Sequence, residues 1–132
     1  MQRIVKNTRG DSLFFVMPGT GSDAHKSAEH DIAVNIISRH LLSVGIRNRI
    51  YNSSYGPDIV AYSGGNRIAV EYETGSKDVE SSINMIEGRN RRYSKTIVVV
   101  NDSILKNYQE KLGNVVPFSH LEEQNFDSMV SN

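Results

Sequence analysis

Three acidic residues stand in the sequence at spacings that suit metal chemistry. Asp58 follows a proline at the start of an apolar segment, and Glu71 and Glu73 lie one residue apart in the next apolar segment. Because side chains alternate faces along a β-strand, Glu71 and Glu73 are predicted to share one face while Tyr72 points to the other. The Gly-Gly-Asn sequence at 64–66 predicts a tight hairpin that sets Asp58 roughly opposite Glu71. The three carboxylates are therefore expected to meet at one end of this hairpin.

Carboxylates gathered in this way would need a compensating cation. They repel one another, and their removal from water is costly unless a positive charge is nearby. Oxygen ligands without histidine or thiolate favour Mg²⁺ or Mn²⁺ over zinc. Such an ion lowers the pKa of a bound water and stabilises the charge that develops during phosphodiester hydrolysis. The alternative is that these residues form the solvated face of an ordinary hairpin.

The elements that would position the acids follow from periodicity and turn residues. A first helix is predicted from Ser22 or Asp23 to about Val44, ended by Gly45. Apolar residues at helical spacing predict its buried stripe, namely Ala28, Ile32, Ile36, Ile37, Leu41 and Val44. Three strands, a second helix and a buried strand are then predicted at 47–52, 58–63, 67–74, 78–93 and 96–100. The second helix should turn Val79, Ile83 and Ile86 inward.

Three further predicted elements flank this series. The apolar run at 12–17 predicts an additional strand, and a helix at 103–112 and a short helical turn near 119–124 are predicted towards the C-terminus. The order is helix, three strands, helix, strand. The whole chain, 1–132, is predicted to be a single α/β domain with peripheral C-terminal helices at 103–132.

Composition narrows the classes of function. The chain has 15 basic and 15 acidic residues among 132, so a nucleic-acid contact would require charges that are segregated in space. The absence of cysteine excludes disulfides, thiolate zinc sites and cysteine nucleophiles. No apolar run approaches the ~20 residues that cross a bilayer, and no secretory signal is evident, so we expect an intracellular protein without a membrane partner.

The segment Pro57-Asp58 followed by Glu71-Tyr72-Glu73 resembles the signature of the PD-(D/E)xK, or restriction-endonuclease-like, nuclease superfamily. The predicted element order also resembles that superfamily's αβββαβ core, a mixed central sheet flanked by helices, over about 23–101. An acid on the first helix, here Glu29, is similar to a feature of archaeal Holliday-junction resolvase relatives. Position 73 departs from the pattern, because glutamate stands where the superfamily usually has lysine.

The resemblance implies roles for individual residues. Asp58 and Glu71 would bind Mg²⁺ or Mn²⁺ together with the Tyr72 carbonyl. Glu73 would hold a metal-bound water or a second ion, and Glu29 would act through water. Lys77 is the nearest candidate for the missing lysine's task, although it also fits a solvated lysine at the start of a helix.

Positive charge is concentrated in two segments that could contact nucleic acid. The candidates are Arg47, Arg49, Arg89, Arg91, Arg92 and Lys95. The second group also fits cations that complement a helix C-terminus. Tyr51 and Tyr55 could stack on bases or simply pack. The histidines at 25, 30, 40 and 120 lack metal-ligand spacing and are interpreted as surface or capping residues.

Three hypotheses follow from these patterns. The first is a metal-dependent nuclease, specifically a DNA endonuclease that acts as a homodimer and is selective for nucleic-acid structure. The second is a catalytically degenerate nuclease fold that serves as a DNA-binding or assembly module. The third is an unrelated α/β interaction protein whose glutamates are surface residues.

Overall fold

The structure, a computed structural model, describes residues 7–8, 11–12, 21–51, 56–76 and 78–131. Side chains are described at 28–51, 56–76, 78–123 and 126–131. Two short antiparallel strands, β1 (Asn7–Thr8) and β2 (Asp11–Ser12), come first. The strand predicted at 12–17 lies outside the described residues from position 13 onwards.

A five-stranded mixed sheet with helices around it forms the body of the protein. In chain order the elements are α1 (Gly21–Ser43), β3 (Arg47–Ile50), β4 (Ile59–Ser63), β5 (Asn66–Glu73), α2 (Val79–Arg89), β6 (Lys95–Val100), α3 (Leu105–Gln109), β7 (Val115–Pro117) and α4 (Gln124–Ser131). The strands are ordered β3-β4-β5-β6-β7. The first three are antiparallel neighbours, and β6 and β7 continue the sheet in parallel. The predicted α/β class and the order from α1 to β6 are confirmed.

The β4–β5 hairpin is fixed by its turn. Gly64 and Gly65 both have positive φ, 59° and 83°, which suits a two-residue turn whose twist matches antiparallel strands. The resulting register pairs Ile59 with Val70, and so continues towards Asp58 opposite Glu71. The hairpin predicted from the glycine pair is therefore observed with the expected register.

Each face of the sheet has its own apolar core. Helix α1 packs on one face, where Ile37 and Leu41 are fully buried against strand residues such as Ile59 and Val70. Helix α2 packs on the other face, where Ile83 and Ile86 contact a cluster that includes Val98, Val100 and Tyr108. The inward face predicted for α2 is confirmed, with Val79 partly buried at its edge.

The stripe predicted for α1 is partly wrong. Ile37 and Leu41 are buried as expected, but Ile36 and Val44 are 41% and 44% exposed. The buried face instead includes Ala33, Val34 and Ser38. Apolar residues occupy more of the helix circumference than the sheet covers, so the predicted stripe is rotated away from the true contact face.

Three further differences concern the C-terminal half. Helix α2 ends at Arg89, earlier than predicted, so Arg91 and Arg92 lie in a turn rather than on the helix. The helix predicted at 103–112 is a 3₁₀ turn followed by α3. The parallel strand β7 was not predicted, and the helical turn predicted near 119–124 is a 3₁₀ turn at Phe118–His120 followed by helix α4 from Gln124. None of the helices in the described residues is long and apolar enough to cross a membrane.

Candidate acidic site

The acidic residues lie at the end of the hairpin, on the sheet face that α2 covers. Glu71 and Glu73 are 3% and 5% exposed, and they share this face with Val98 and Val100, their partners on β6. Asp58 directly precedes β4 and keeps 21% of its side chain exposed. The alternation predicted from the sequence is observed. However, the site is more buried than a solvated hairpin face.

Glu71 is held by an arginine from α2. The Arg89 Nε donates to Glu71 Oε2 at 2.6 Å, and Arg89 Nη2 donates to the Gly56 carbonyl at 2.8 Å. Burial, followed by the charge of Asp58, raises the pKa of Glu71 from 4.5 to about 7, and Arg89 opposes only part of that rise. Arg89 was predicted to contact nucleic acid, whereas its side chain is 13% exposed and lies inside the acidic site.

Asp58 joins the site to both the sheet and α1. Its Oδ2 accepts a hydrogen bond from the Tyr72 backbone N at 2.8 Å. The His30 Nε2 lies 3.1 Å from Asp58 Oδ1, and the hydrogen bond to Asp58 is the largest cause of a raised His30 pKa. His30 was interpreted as a surface or capping residue, so its contact with Asp58 was missed. Its helical spacing to the buried Ala33, Val34 and Ile37 is the signal that could have indicated it.

Glu73 contacts the inner side of α2. Its Oε1 accepts a hydrogen bond from the Ser82 hydroxyl at 3.3 Å. Ser82 is itself buried on the inner side of α2. The Asp78 carboxylate accepts from the Ser81 backbone N as the N-cap of helix α2. The docking of α2 thus supplies partners to both glutamates of the Glu-x-Glu pair.

Glu29 lies on the opposite side of the sheet from the two glutamates. Its Oε2 accepts from the Tyr72 hydroxyl at 2.8 Å and from Asn101 Nδ2 at 2.9 Å. Glu29 lines a cavity of about 510 Å³, together with residues that include Ile32, Ile36 and Phe118. The structure therefore brings Asp58 and Glu71 together, and it places Glu29 beside Tyr72 rather than beside the glutamates.

The donor chemistry is partly suited to a divalent ion. Within the described ranges, no group of three or more histidine, aspartate or glutamate side chains is arranged to hold a metal. Mg²⁺ typically takes only one or two carboxylates, with water and substrate oxygens completing its shell. Asp58 and Glu71, with the Tyr72 carbonyl, match that smaller set in chemical type. Lys77, the candidate for the missing lysine, lies outside the described residues.

The predicted basic residues other than Arg89 occupy three different places. Arg47 and Arg49 are exposed on β3, and Arg91 and Arg92 are exposed after α2. Lys95 instead donates to the Met129 carbonyl in α4 at 2.6 Å. Sequence reasoning grouped these residues by chain position. The structure separates Lys95 from the others.

Arginine and tyrosine side chains lie on the same face of the sheet as the acidic pair. In register across three strands, Arg47 pairs with Tyr62, and Tyr62 pairs with Arg67. The Tyr51 backbone N donates to the Asp58 carbonyl at 2.9 Å, which extends this pairing to the end of the hairpin. Arg67 and Tyr62 were missed because neither belongs to a charged run in the sequence.

Comparisons with known proteins add no relative from which a role could be transferred. No protein-family model matches the chain, and neither the curated proteins nor the solved structures include a significant match.

Proposed function

We propose that the protein is a divalent-metal-dependent nuclease that hydrolyses phosphodiester bonds, with DNA as its substrate and endonucleolytic cleavage as its mode. The observation that carries the proposal is the meeting of Asp58 and Glu71 at the end of the β4–β5 hairpin. Glu71 is almost fully buried, and the neighbouring Asp58 charge raises its pKa further. A buried carboxylate next to a second acid is the environment that a divalent cation would relieve.

The topology supports the same proposal. An antiparallel β3–β4–β5 meander joins a parallel β6 through α2, with α1 on the opposite face. This order agrees with the restriction-endonuclease-like core that the motif suggested. In such a core, an acid at the start of the second strand and an acid on the third would lie side by side. The place of Asp58 directly before β4 and of Glu71 on β5 supports that assignment.

In this proposal Asp58, Glu71 and the Tyr72 carbonyl would hold Mg²⁺ or Mn²⁺. The ion would supply Lewis acidity and an activated water. The chain's own residues position the ligands: the Tyr72 backbone N and His30 orient Asp58, and Arg89 orients Glu71. Because a carboxylate oxygen accepts more than one partner, Glu71 can keep Arg89 while it also binds an ion. The buried Arg89 guanidinium also offsets negative charge beside the reacting phosphate.

Cleavage assays with isosteric variants test the proposal. Supercoiled, linear, single-stranded and four-way-junction DNA would be incubated with Mg²⁺ or Mn²⁺ and the wild type, Asp58→Asn or Glu71→Gln. Both variants should lose at least about 100-fold in cleavage rate, as expected for removal of a metal ligand or its charge. Glu87→Gln, at an exposed position on α2, is the matched control and should cleave like the wild type. Wild-type-like cleavage by Asp58→Asn would defeat the proposal.

A second candidate function is a degenerate nuclease fold that binds DNA or supports assembly without cutting. The observation in its favour is that Arg89 already supplies a cation to Glu71, and that glutamate occupies position 73. DNA binding without cleavage in either metal, across all four substrates, would favour this candidate.

Homodimer formation remains a prediction, for which the molar mass from light scattering is the direct measurement.

A further inference from the structure

One face of the sheet carries a regular pattern of arginine and tyrosine that leads to the acidic pair. The outer row across the strands is Arg47, Tyr62 and Arg67, joined by two register pairs. Two residues further along β3, the second row begins with Arg49 and continues through Val60 and Ala69. The third row holds Tyr51, Asp58 and Glu71. We define the exposed arginines and their tyrosines, Arg47, Arg49, Arg67, Tyr51, Tyr62 and Tyr93, as the arginine–tyrosine face.

The arginines of this face lie against aromatic rings. The guanidinium carbon of Arg67 is 4.7 Å from the centre of the Tyr93 ring. Arg47 lies 5.6 Å from the Tyr62 ring, and Arg49 lies 5.9 Å from the Tyr51 ring. Each distance is within the ~6 Å range of a cation–π contact. The pairs restrict flexible side chains and hold charged groups beside aromatic rings.

The turn after α2 completes the same surface. Arg67 Nη2 donates to the Arg92 carbonyl at 3.3 Å, and the Ser94 backbone N donates to the Arg67 carbonyl at 2.9 Å. These bonds hold the turn against β5, so that Arg67 and Tyr93 lie beside the exposed Arg91 and Arg92. Arg47, Arg49 and Arg67 are likewise exposed. Five exposed arginines therefore lie on this face and on the turn beside it.

We propose that the arginine–tyrosine face binds single-stranded nucleic acid and directs it towards Asp58 and Glu71. This inference deepens the proposed nuclease function and rests on it for the cleavage of the bound strand. The arginines contact phosphates, and the tyrosine rings and the guanidinium planes stack with unpaired bases. The acidic pair alone would repel a polyanion. The positive charge of the arginine–tyrosine face supplies the attraction that brings a phosphate to it.

The composition of the face favours a single strand over a duplex. A duplex presents phosphates to its surroundings and keeps its bases stacked inside, so a phosphate-binding surface for duplex DNA has no need of aromatic rings. Single strands expose base faces, and proteins that bind them combine positive charge with aromatic side chains. Here all three ring contacts involve an arginine of the same face. This pairing of charge with aromatic surface is the feature that selects unpaired nucleotides.

The strand direction defines the path of the bound nucleotides. Tyr62 and Asp58 are four residues apart along the same face, which corresponds to about 13 Å at ~3.3 Å per residue. A strand that contacts the outer row can therefore reach the acidic pair within a few nucleotides. Binding at the outer row and chemistry at Asp58 are spatially distinct steps, so each can be removed by its own substitutions.

Fluorescence anisotropy in EDTA tests binding without any cleavage. The probes are a labelled single-stranded DNA oligonucleotide, an RNA oligonucleotide of the same sequence, and the DNA oligonucleotide annealed to its complement. The intact chain should bind the single strands more tightly than the duplex. Tyr93→Leu and Tyr62→Leu should each weaken single-strand binding by at least about fivefold, since stacking contributes ~1–3 kcal/mol per base. Circular dichroism of each variant separates loss of binding from loss of fold.

A charge-matched pair of variants tests the phosphate contacts. Arg67→Gln should weaken binding and lower the slope of log K against log salt by about 0.7, the value for one phosphate contact on a single strand. Arg39→Gln removes the same charge from an exposed position on α1 and should leave both quantities unchanged.

The outcomes separate this inference from the proposed nuclease function. Asp58→Asn should still bind the single strand. A wild-type chain that binds the single strand but does not cleave it with either metal would support the inference and reject the nuclease. Tighter binding to the duplex would overturn the inference. It would also fail if both tyrosine variants, shown to be folded, bound like the wild type.

Discussion

Replacement of Glu71 by glutamine should change the pH dependence of stability. Burial and the charge of Asp58 raise the pKa of Glu71 from 4.5 to about 7. A carboxyl group whose pKa is higher in the folded chain than in the unfolded chain stabilises the fold while it is protonated. That contribution is fully present below pH 4.5 and is lost as the pH rises to about 7.

The size of the effect follows from the same shift. A change from 4.5 to about 7 corresponds to about 3 kcal/mol in the free energy of unfolding, at ~1.4 kcal/mol for each pH unit. Glutamine has nearly the same shape as protonated glutamate, and both present a neutral group to Arg89. Glu71→Gln should therefore match the wild type near pH 4.5. By pH 8 it should be the more stable protein by about 3 kcal/mol, because it avoids the cost of ionising a buried carboxylate.

Urea unfolding followed by far-ultraviolet circular dichroism, in EDTA and between pH 4.5 and pH 8, measures this difference. Glu87→Gln is the control, because Glu87 is exposed on the same helix that supplies Arg89, and its stability should stay within ~0.5 kcal/mol of the wild type. A difference between Glu71→Gln and the wild type that stays constant with pH would refute the reasoning. So would a wild type that becomes relatively more stable towards pH 8.

Addition of Mg²⁺ extends the experiment to the proposed metal site. An ion that binds only the folded wild type stabilises it by about 2.7 kcal/mol at a concentration 100 times the Kd. Most of the advantage of Glu71→Gln at pH 8 should then disappear, because the variant lacks one ligand. Equal stabilisation of both proteins by Mg²⁺ would place the ion elsewhere.

Two further predictions concern α1. Ile37→Ala should destabilise the fold by ~2–5 kcal/mol, because Ile37 is fully buried. Ile36→Ala should cost less than ~1 kcal/mol, because Ile36 is 41% exposed. Similar shifts of the thermal midpoint for both variants would contradict the orientation of α1. Asp58→Asn should move the NMR titration of the His30 ring to lower pH in metal-free protein, because the hydrogen bond to Asp58 is the main cause of the raised His30 pKa. An unchanged midpoint would show that Asp58 does not hold His30. The contribution of His30 to wild-type stability should be present below pH 6.5 and be lost as the pH rises through its raised pKa.

The features that sequence reasoning predicted well depend on local rules. The glycine pair at 64 and 65 determines the turn, and alternation along β5 then places Glu71 and Glu73 on one face. The register that sets Asp58 opposite Glu71 follows from these two facts. The hairpin and its acidic end could therefore be worked out without knowledge of the remaining chain.

The partners of the acids could not be predicted in this way, because they depend on how the helices dock. Arg89 is 18 residues from Glu71 in the chain and reaches it only because α2 crosses the sheet. The same charge pattern at the end of α2 fits a solvated cation, so its burial cannot be read from spacing. Strand β7 was missed for a related reason, since its parallel pairing with β6 involves residues that are not neighbours in sequence.

The two outer strands of the main sheet have a consequence for self-association. Among the described strands, β3 and β7 form its edges. Arg47 and Arg49 place charges along β3, while β7 has three residues and ends in Pro117, which has no backbone N–H to donate. Charged edges and short, proline-terminated edges both oppose the addition of a strand from another molecule. Concentrated solutions of the folded protein should therefore resist growth into fibrils by edge-to-edge sheet extension.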